Sequence, residues 1–129
     1  MFISQLSVFV ENKTGRLAEI LDELTAHSIN IRALCMADTE KYGILRMIVD
    51  DTNKAEEVLK ASGVIVKITP VIAIDIDDTP GGLGKVISTL SANDISVEYL
   101  YAFLSKLTPN AKVVLKVNDP KKAEEVLSK

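Results

Sequence analysis

The alternation of polar and apolar residues changes its period several times along this chain, and the same changes occur in the same order in each half. Residues 5–10 (QLSVFV) and 71–76 (VIAIDI) read as strands. After a Gly-containing turn, Leu17, Ile20, Leu21 and Leu24 recur at i, i+3, i+4 and i+7, and Leu83, Val86, Ile87 and Leu90 repeat the spacing. That spacing lines one face of an amphipathic helix. Alternating strands follow at 29–36 and 95–104, each turning back into another at 44–49 and 112–117. A second helix carries Ala55, Val58 and Leu59 in the first half and Ala123, Val126 and Leu127 in the second. The first half then adds VIVKI at 64–68, and nothing in the second half corresponds to it.

The halves are copies. Laying Gly81 over Gly15 aligns residues 12–34 with 78–100, with identities at Gly15/Gly81, Leu17/Leu83, Leu24/Leu90, Ala26/Ala92, Ile29/Ile95 and Leu34/Leu100. Farther on, KAEEVL at 54–59 recurs unchanged at 122–127, two positions out of step, so the extra residues are expected in a turn over 105–112, where Pro and Asn occur. The order strand, helix, strand, strand, helix, strand predicts an α+β fold of two tandem ferredoxin-like (βαββαβ) units. Each is an antiparallel sheet with its helices on one face, and the second unit lacks its fourth strand. The boundary is expected at Pro70, giving units at 1–69 and 70–129.

Composition narrows the class. The chain has 129 residues, 47% hydrophobic and 26% charged, the balance of a globular protein. No apolar run approaches the roughly 18 residues needed to span a bilayer, and the N-terminus has no basic lead or small-residue cleavage site, so a cytoplasmic location without membrane attachment is expected. Fifteen Lys and Arg against eighteen Asp and Glu give a net charge of −3 with no basic block, which argues against nucleic-acid binding. One cysteine, Cys35, and one histidine, His27, leave no disulfide or two-His metal site, and no cofactor motif is present. PGGLGK at 80–85 lacks the spacing of either phosphate-binding glycine loop.

Repeats of this order, whose strand-to-helix turns read ENKTGRL (11–17) and DDTPGGL (77–83), resemble the ACT domain family of small-molecule-sensing modules over nearly the whole chain. The family's turn is similar to Asn-x-x-Gly-x-Leu, often with Pro before the Gly, followed by Asn-Ile or its equivalent opening the second strand. The first copy supplies Asn12, Gly15, Leu17, Asn30 and Ile31; the second supplies Asp78, Pro80, Gly81, Leu83, Ser96 and Val97. Lys13, Thr14, Arg16 and Gly82 complete the two turns. The resemblance implies regulatory binding of an amino acid or similar metabolite between ACT units, the turn of one facing the second strand of another. It also implies a non-catalytic role and a second copy or a regulated enzyme as partner. Asp78 departs from the family's Asn, and the absent last strand leaves the second unit incomplete.

The turns suit that chemistry. A helix N-terminus offers amide donors to a carboxylate, and the amides of Gly15, Arg16, Gly81 and Gly82 are expected to point outward, with Pro80 at the first helical position. Asn12 can serve both ends of a zwitterion, whereas Asp78 offers acceptors and favours an ammonium-rich or neutral group. The alternative is that Asn12 and Asp78 only cap their turns. Elsewhere, His27 is expected at the end of the first helix, Cys35 in the core beside Ile31 and Ala33, and Tyr99, Tyr101 and Phe103 on a core face. Leu34, Met36 and Leu100 are then left on an open sheet face suited to self-association. Three functions follow: an amino-acid-sensing regulatory module, an interaction subunit that docks through that face without a metabolite, and a small enzyme. Against the enzyme stands the lack of any nucleophile and base pair or paired acids.

Overall fold

A computed structural model describes residues 1–38, 41–104 and 110–128. The elements run β1 (Phe2–Glu11), α1 (Arg16–Ala26), β2 (Ile31–Asp38), β3 (Tyr42–Val49), α2 (Thr52–Ala61), β4 (Val66–Ile76), α3 (Gly82–Ala92), β5 (Val97–Ala102), β6 (Ala111–Val117) and α4 (Pro120–Leu127). The chain divides into one unit of Ser4–Thr69 and a second made of Met1–Ile3 with Pro70–Lys129. No helix among the described residues is long and apolar enough to cross a membrane.

In the first unit the strand order is β2-β3-β1-β4, with β3 antiparallel to both of its neighbours. The inward residues of β1 (Leu6, Val8, Val10) and β3 (Leu45, Met47, Val49) meet Ile20 and Leu24 of α1 and Ala55 and Leu59 of α2 in one buried cluster. The second unit repeats this with β4-β6-β5, where Ile72, Ile74, Val113, Leu115 and Val117 pack against Leu90 and Ala123. Both units are thus the expected α+β ferredoxin-like type. The helix ends also match between copies. Asp51 and Asp119 cap α2 and α4 by accepting from the amides of Lys54 and Lys122, each at 3.2 Å. His27 and Asn93 close α1 and α3, the His27 ring donating from Nδ1 to the Glu23 carbonyl at 2.9 Å and the Asn93 amide to Thr89 at 2.8 Å.

Three features differ from the sequence reading. Pro70 does not end a strand: β4 runs through it from Val66 to Ile76. Proline's fixed φ is compatible with extended backbone, and it stands where the strand passes from one unit to the next. Residues 1–3, read as part of the first copy, group with the second unit instead. There the Ala73 amide donates to the Met1 carbonyl at 3.0 Å, and the terminal ammonium pairs with Glu124. The start of β1 therefore lies where the absent fourth strand would be.

The third difference is one of facing. In β2 an extra residue intervenes between Ile31, opposite Val49, and Ala33, opposite Ile48, and β5 repeats the irregularity between Val97 and Tyr99. A bulge of one residue reverses the alternation beyond it. Leu34 therefore stands opposite Met47 and packs on the core, and Leu100 stands opposite the core residue Leu115. Tyr101, opposite Val114, takes the other face together with Tyr99, their rings stacked 6.4 Å apart. Cys35 pairs with Arg46 and is half-buried rather than enclosed in the core. The open apolar face expected from Leu34, Met36 and Leu100 does not form as such. The turn expected over 105–112 falls mostly at 105–109, outside the described residues.

Removing residues 1–3 should leave the Ala73 amide without its acceptor, a loss of about 1 kcal/mol for such a bond. Hydrogen exchange should then speed up at Ala73 and its neighbours in residues 70–76 and stay unchanged at Val8. Unchanged exchange at Ala73 would show that the start of β1 does not act as the fourth strand.

Candidate functional site

Both helix-opening turns are built on a glycine in left-handed conformation. Gly15 (φ 90°) caps α1 and Gly81 (φ 86°) caps α3, and no side chain caps either helix. The N-cap positions therefore belong to Gly15 and Gly81 and not to Asn12 and Asp78. A Cβ at either glycine would meet open space, so the positive φ is what demands glycine; an L-residue there costs about 1–2 kcal/mol. Gly82 is needed for a different reason, because its Cβ would stand 2.0 Å from the Asp77 carbonyl oxygen. Pro80 precedes the cap and is not the first helical residue, since α3 starts two positions later at Gly82.

The amides expected to face outward are partly consumed by the turns. Arg16 donates to the Lys13 carbonyl at 3.2 Å and Gly82 to the Thr79 carbonyl at 3.0 Å. The helix ladder resumes with Glu19 to Gly15 at 3.0 Å and Lys85 to Gly81 at 2.9 Å. Leu17 and Ala18 in α1, and Leu83 and Gly84 in α3, are left with no hydrogen bond from their amides among the described residues. These are the donors each helix can offer an anion. Around the first turn Lys13 pairs with Glu11 at 3.3 Å, and Arg16 with Glu11 at 3.7 Å and Glu19 at 3.0 Å. Thr14 is exposed, and the Asn12 amide donates to Lys41.

Asn30 and Ile31, and likewise Ser96 and Val97, lie at the far end of their own copy's helix. An eleven-residue helix separates them from the turn by about 16 Å. The Asn30 amide donates to the Asp50 carboxylate at 3.1 Å while its carbonyl accepts from the Asp50 amide at 3.1 Å; Ser96 and Asn118 repeat the exchange at 3.0 and 3.2 Å. Ile31 and Val97 pack on their cores. Within one unit, then, the turn and the second strand do not form a single site.

The first unit contains a cleft of about 570 Å³ that the sequence reading missed. Its floor is Val10, Ile20 and Val64; Phe9, Tyr42 and Ile65 stand at its mouth; Glu11, Arg16, Glu19 and Glu23 supply the charge. Of the sequence-derived site residues, Arg16 lines it. The corresponding place in the second unit, marked by Val86 for Ile20 and Asp75 for Phe9, is a hollow of about 190 Å³ bordered by Met1 and Leu127. Among the described residues no group of His, Cys, Asp and Glu is arranged to hold a metal.

The sequence matches the ACT domain pair family over residues 1–129. The chain belongs to that family. A Bacteroides thetaiotaomicron protein of solved crystal structure is 42% identical, with 99% of this chain and 88% of that one covered at a TM-score of 0.91. The ligand-free regulatory subunit of aspartate kinase from Thermus thermophilus is 13% identical, covers 99% and 91%, and superposes at 0.67. The Thermus flavus regulatory subunit, 14% identical over 99% and 92%, gives 0.65. The two aspartate kinase subunits are alike in fold. No curated protein matches the chain.

Part of the first ACT unit's cleft was legible in advance. Arg16, Glu19, Ile20 and Glu23 keep helical spacing, which places three charges around one buried apolar residue. Tyr42 and residues 62–65 come from distant segments, and no local signal joins them to α1. The two glycines that open α3 should respond in opposite ways to the same change. Gly82→Ala drives a Cβ into the Asp77 carbonyl and should cost about 1–3 kcal/mol. Gly84→Ala enters open space inside a helix and should stabilise by about 0.5–1 kcal/mol. Urea unfolding of both variants checks the pair.

Proposed function

We propose that the chain is a regulatory, non-catalytic protein that binds an amino acid or similar small metabolite at the glycine-capped turns of its ACT units. The ligand carboxylate meets the open amides of a helix N-terminus, and the second strand of a neighbouring ACT unit closes the site. The observation that carries this reading is the duplicated turn: Gly15 and Gly81 hold the same left-handed cap, and each leaves two first-turn amides unbonded among the described residues. Membership of the ACT domain pair family supports it, as does the fold shared with regulatory subunits of aspartate kinase. The two turns are not equivalent. Asn12, with Lys13, Thr14, Arg16 and Leu17, accommodates a zwitterion, and Asn30, Ile31, Ser96 and Val97 supply the facing strands. The second turn, with Asp78, Pro80, Gly82 and Leu83, carries an acid where the first has an amide, and favours an ammonium-rich or neutral group. Occupancy is passed to a second copy or to a partner enzyme in the cytoplasm.

A second reading is an interaction subunit that binds no metabolite. Met36 and Leu100 favour it, because both lie exposed on strands at the edge of their units' sheets. A chain that is monomeric by native mass measurement counts against it.

The first reading is tested by thermal shift against the common amino acids. A ligand at 100 times its dissociation constant should add about 2.7 kcal/mol to folding. Ala18→Pro and Gly84→Pro each remove one first-turn amide at a helix position where proline is tolerated. One of them should abolish the shift while the unliganded midpoint moves little. If no amino acid raises the midpoint, or both variants respond as the parent does, the turns are not the site.

A further inference from the structure

We propose that the cleft of the first ACT unit is a binding site in its own right, distinct from the turn amides, for a primary ammonium carried on a compact apolar body. Its volume, about 570 Å³, falls in the range of small-molecule sites, and it has their usual construction of an apolar floor with a few polar groups at the rim. Val10 and Ile20 at the floor are 3% and 5% exposed, so they are fixed in the core and form a preformed surface for an aliphatic or aromatic group.

The charge at the rim decides the ligand's sign. Three carboxylates, Glu11, Glu19 and Glu23, face one cation, Arg16. Arg16 is engaged with Glu11 and Glu19, and Glu11 also holds Lys13. Glu23 is half-buried, and its carboxylate has no ion pair or hydrogen bond among the described residues. It is therefore the acceptor available to an incoming ammonium, and a charge-assisted bond in a partly desolvated cleft is the stronger kind. An anionic ligand would meet like charge there. Phe9 and Tyr42 at the mouth add aromatic surface, which suits a cation better than an anion.

The second unit indicates that this chemistry is particular to the first. Lys85 stands at the position of Glu19, Thr89 at that of Glu23 and Asp75 at that of Phe9, and the corresponding hollow is a third of the size with Met1 at its border. The scaffold is duplicated, but the acidic cleft is not.

Titration of the full, nitrogen-15-labelled chain with 2-phenylethylamine and, separately, 3-phenylpropionate tests the assignment, because the two probes share a body and differ in the sign of the head group. The amine should shift the amide resonances of Gly63, Val64 and Ile65, and the acid should leave them in place. Glu23→Gln keeps the side chain's shape, removes its charge, and should weaken the amine by about tenfold. Gly84→Pro, which alters a turn amide in the other unit, should leave this titration as in the parent, so the result stands apart from the amino-acid screen. The proposal is overturned if the amine moves none of these resonances, if both probes move them alike, if Glu23→Gln binds as the parent does, or if shifts are confined to Leu17 and Ala18.

Discussion

A strand buried in a sheet must have both edges hydrogen-bonded, because each buried amide or carbonyl left unpaired forfeits its solvation without replacement. Residues Val71, Ile72, Ala73 and Ile74 of β4 are almost wholly buried. Among the described residues, the second half of the chain supplies β6 on one side of them, and β1 lies on the other. The demand is met by the first residues of the chain, where Met1 accepts from Ala73. Two strands consequently grow long, ten residues for β1 and eleven for β4, about twice the common length. Each begins in one unit and continues in the other.

The turns before α1 and α3 show what duplication keeps and what it lets drift. Both preserve a glycine at positive φ, because no other residue holds that backbone without strain. Both close their first amide on a carbonyl three residues back and leave the next two amides open. What drifts is the surface around them. Arg16 in the first turn is replaced by Gly82 in the second, where the helix start lies against the Asp77 carbonyl and has no room for a Cβ. The first turn carries an ion-paired cluster of Glu11, Lys13, Arg16 and Glu19, and the second carries the flexible, uncharged pair Gly82 and Gly84 in the first turn of its helix.

The same division holds at the clefts. Leu24 and Leu90, Leu59 and Leu127, and Ala55 and Ala123 are equivalent pairs that pack into or against the cores of the two units. Around that shared interior, Ile20 and Val86 open onto hollows of different volume and charge. Close packing restricts core substitution to residues of similar size, whereas rim residues answer to water and to ligands. A duplicated scaffold can therefore carry two hollows of different chemistry.

The sequence by itself determined the repeat, the α+β class, the order of elements and the family, because these depend on periodicity and on glycines whose backbone requirements are local. It also marked the turn at Asn12 to Leu17 and its copy at Asp78 to Leu83 as places of exposed donors, although the amides left open are two positions later than the spacing suggests. Tertiary structure decided the rest. A single extra residue at Arg32 or Glu98 reverses which face of a strand meets the core, and that bulge has no signature in composition, so Leu34 and Tyr101 were assigned to the wrong sides. The partner of β4 lies some seventy residues away at Met1, and the cleft joins α1 to Tyr42 and residues 62–65. Contacts of that range form because a fold must pair its strand edges and bury its apolar faces at once, and no window of neighbouring residues contains that requirement.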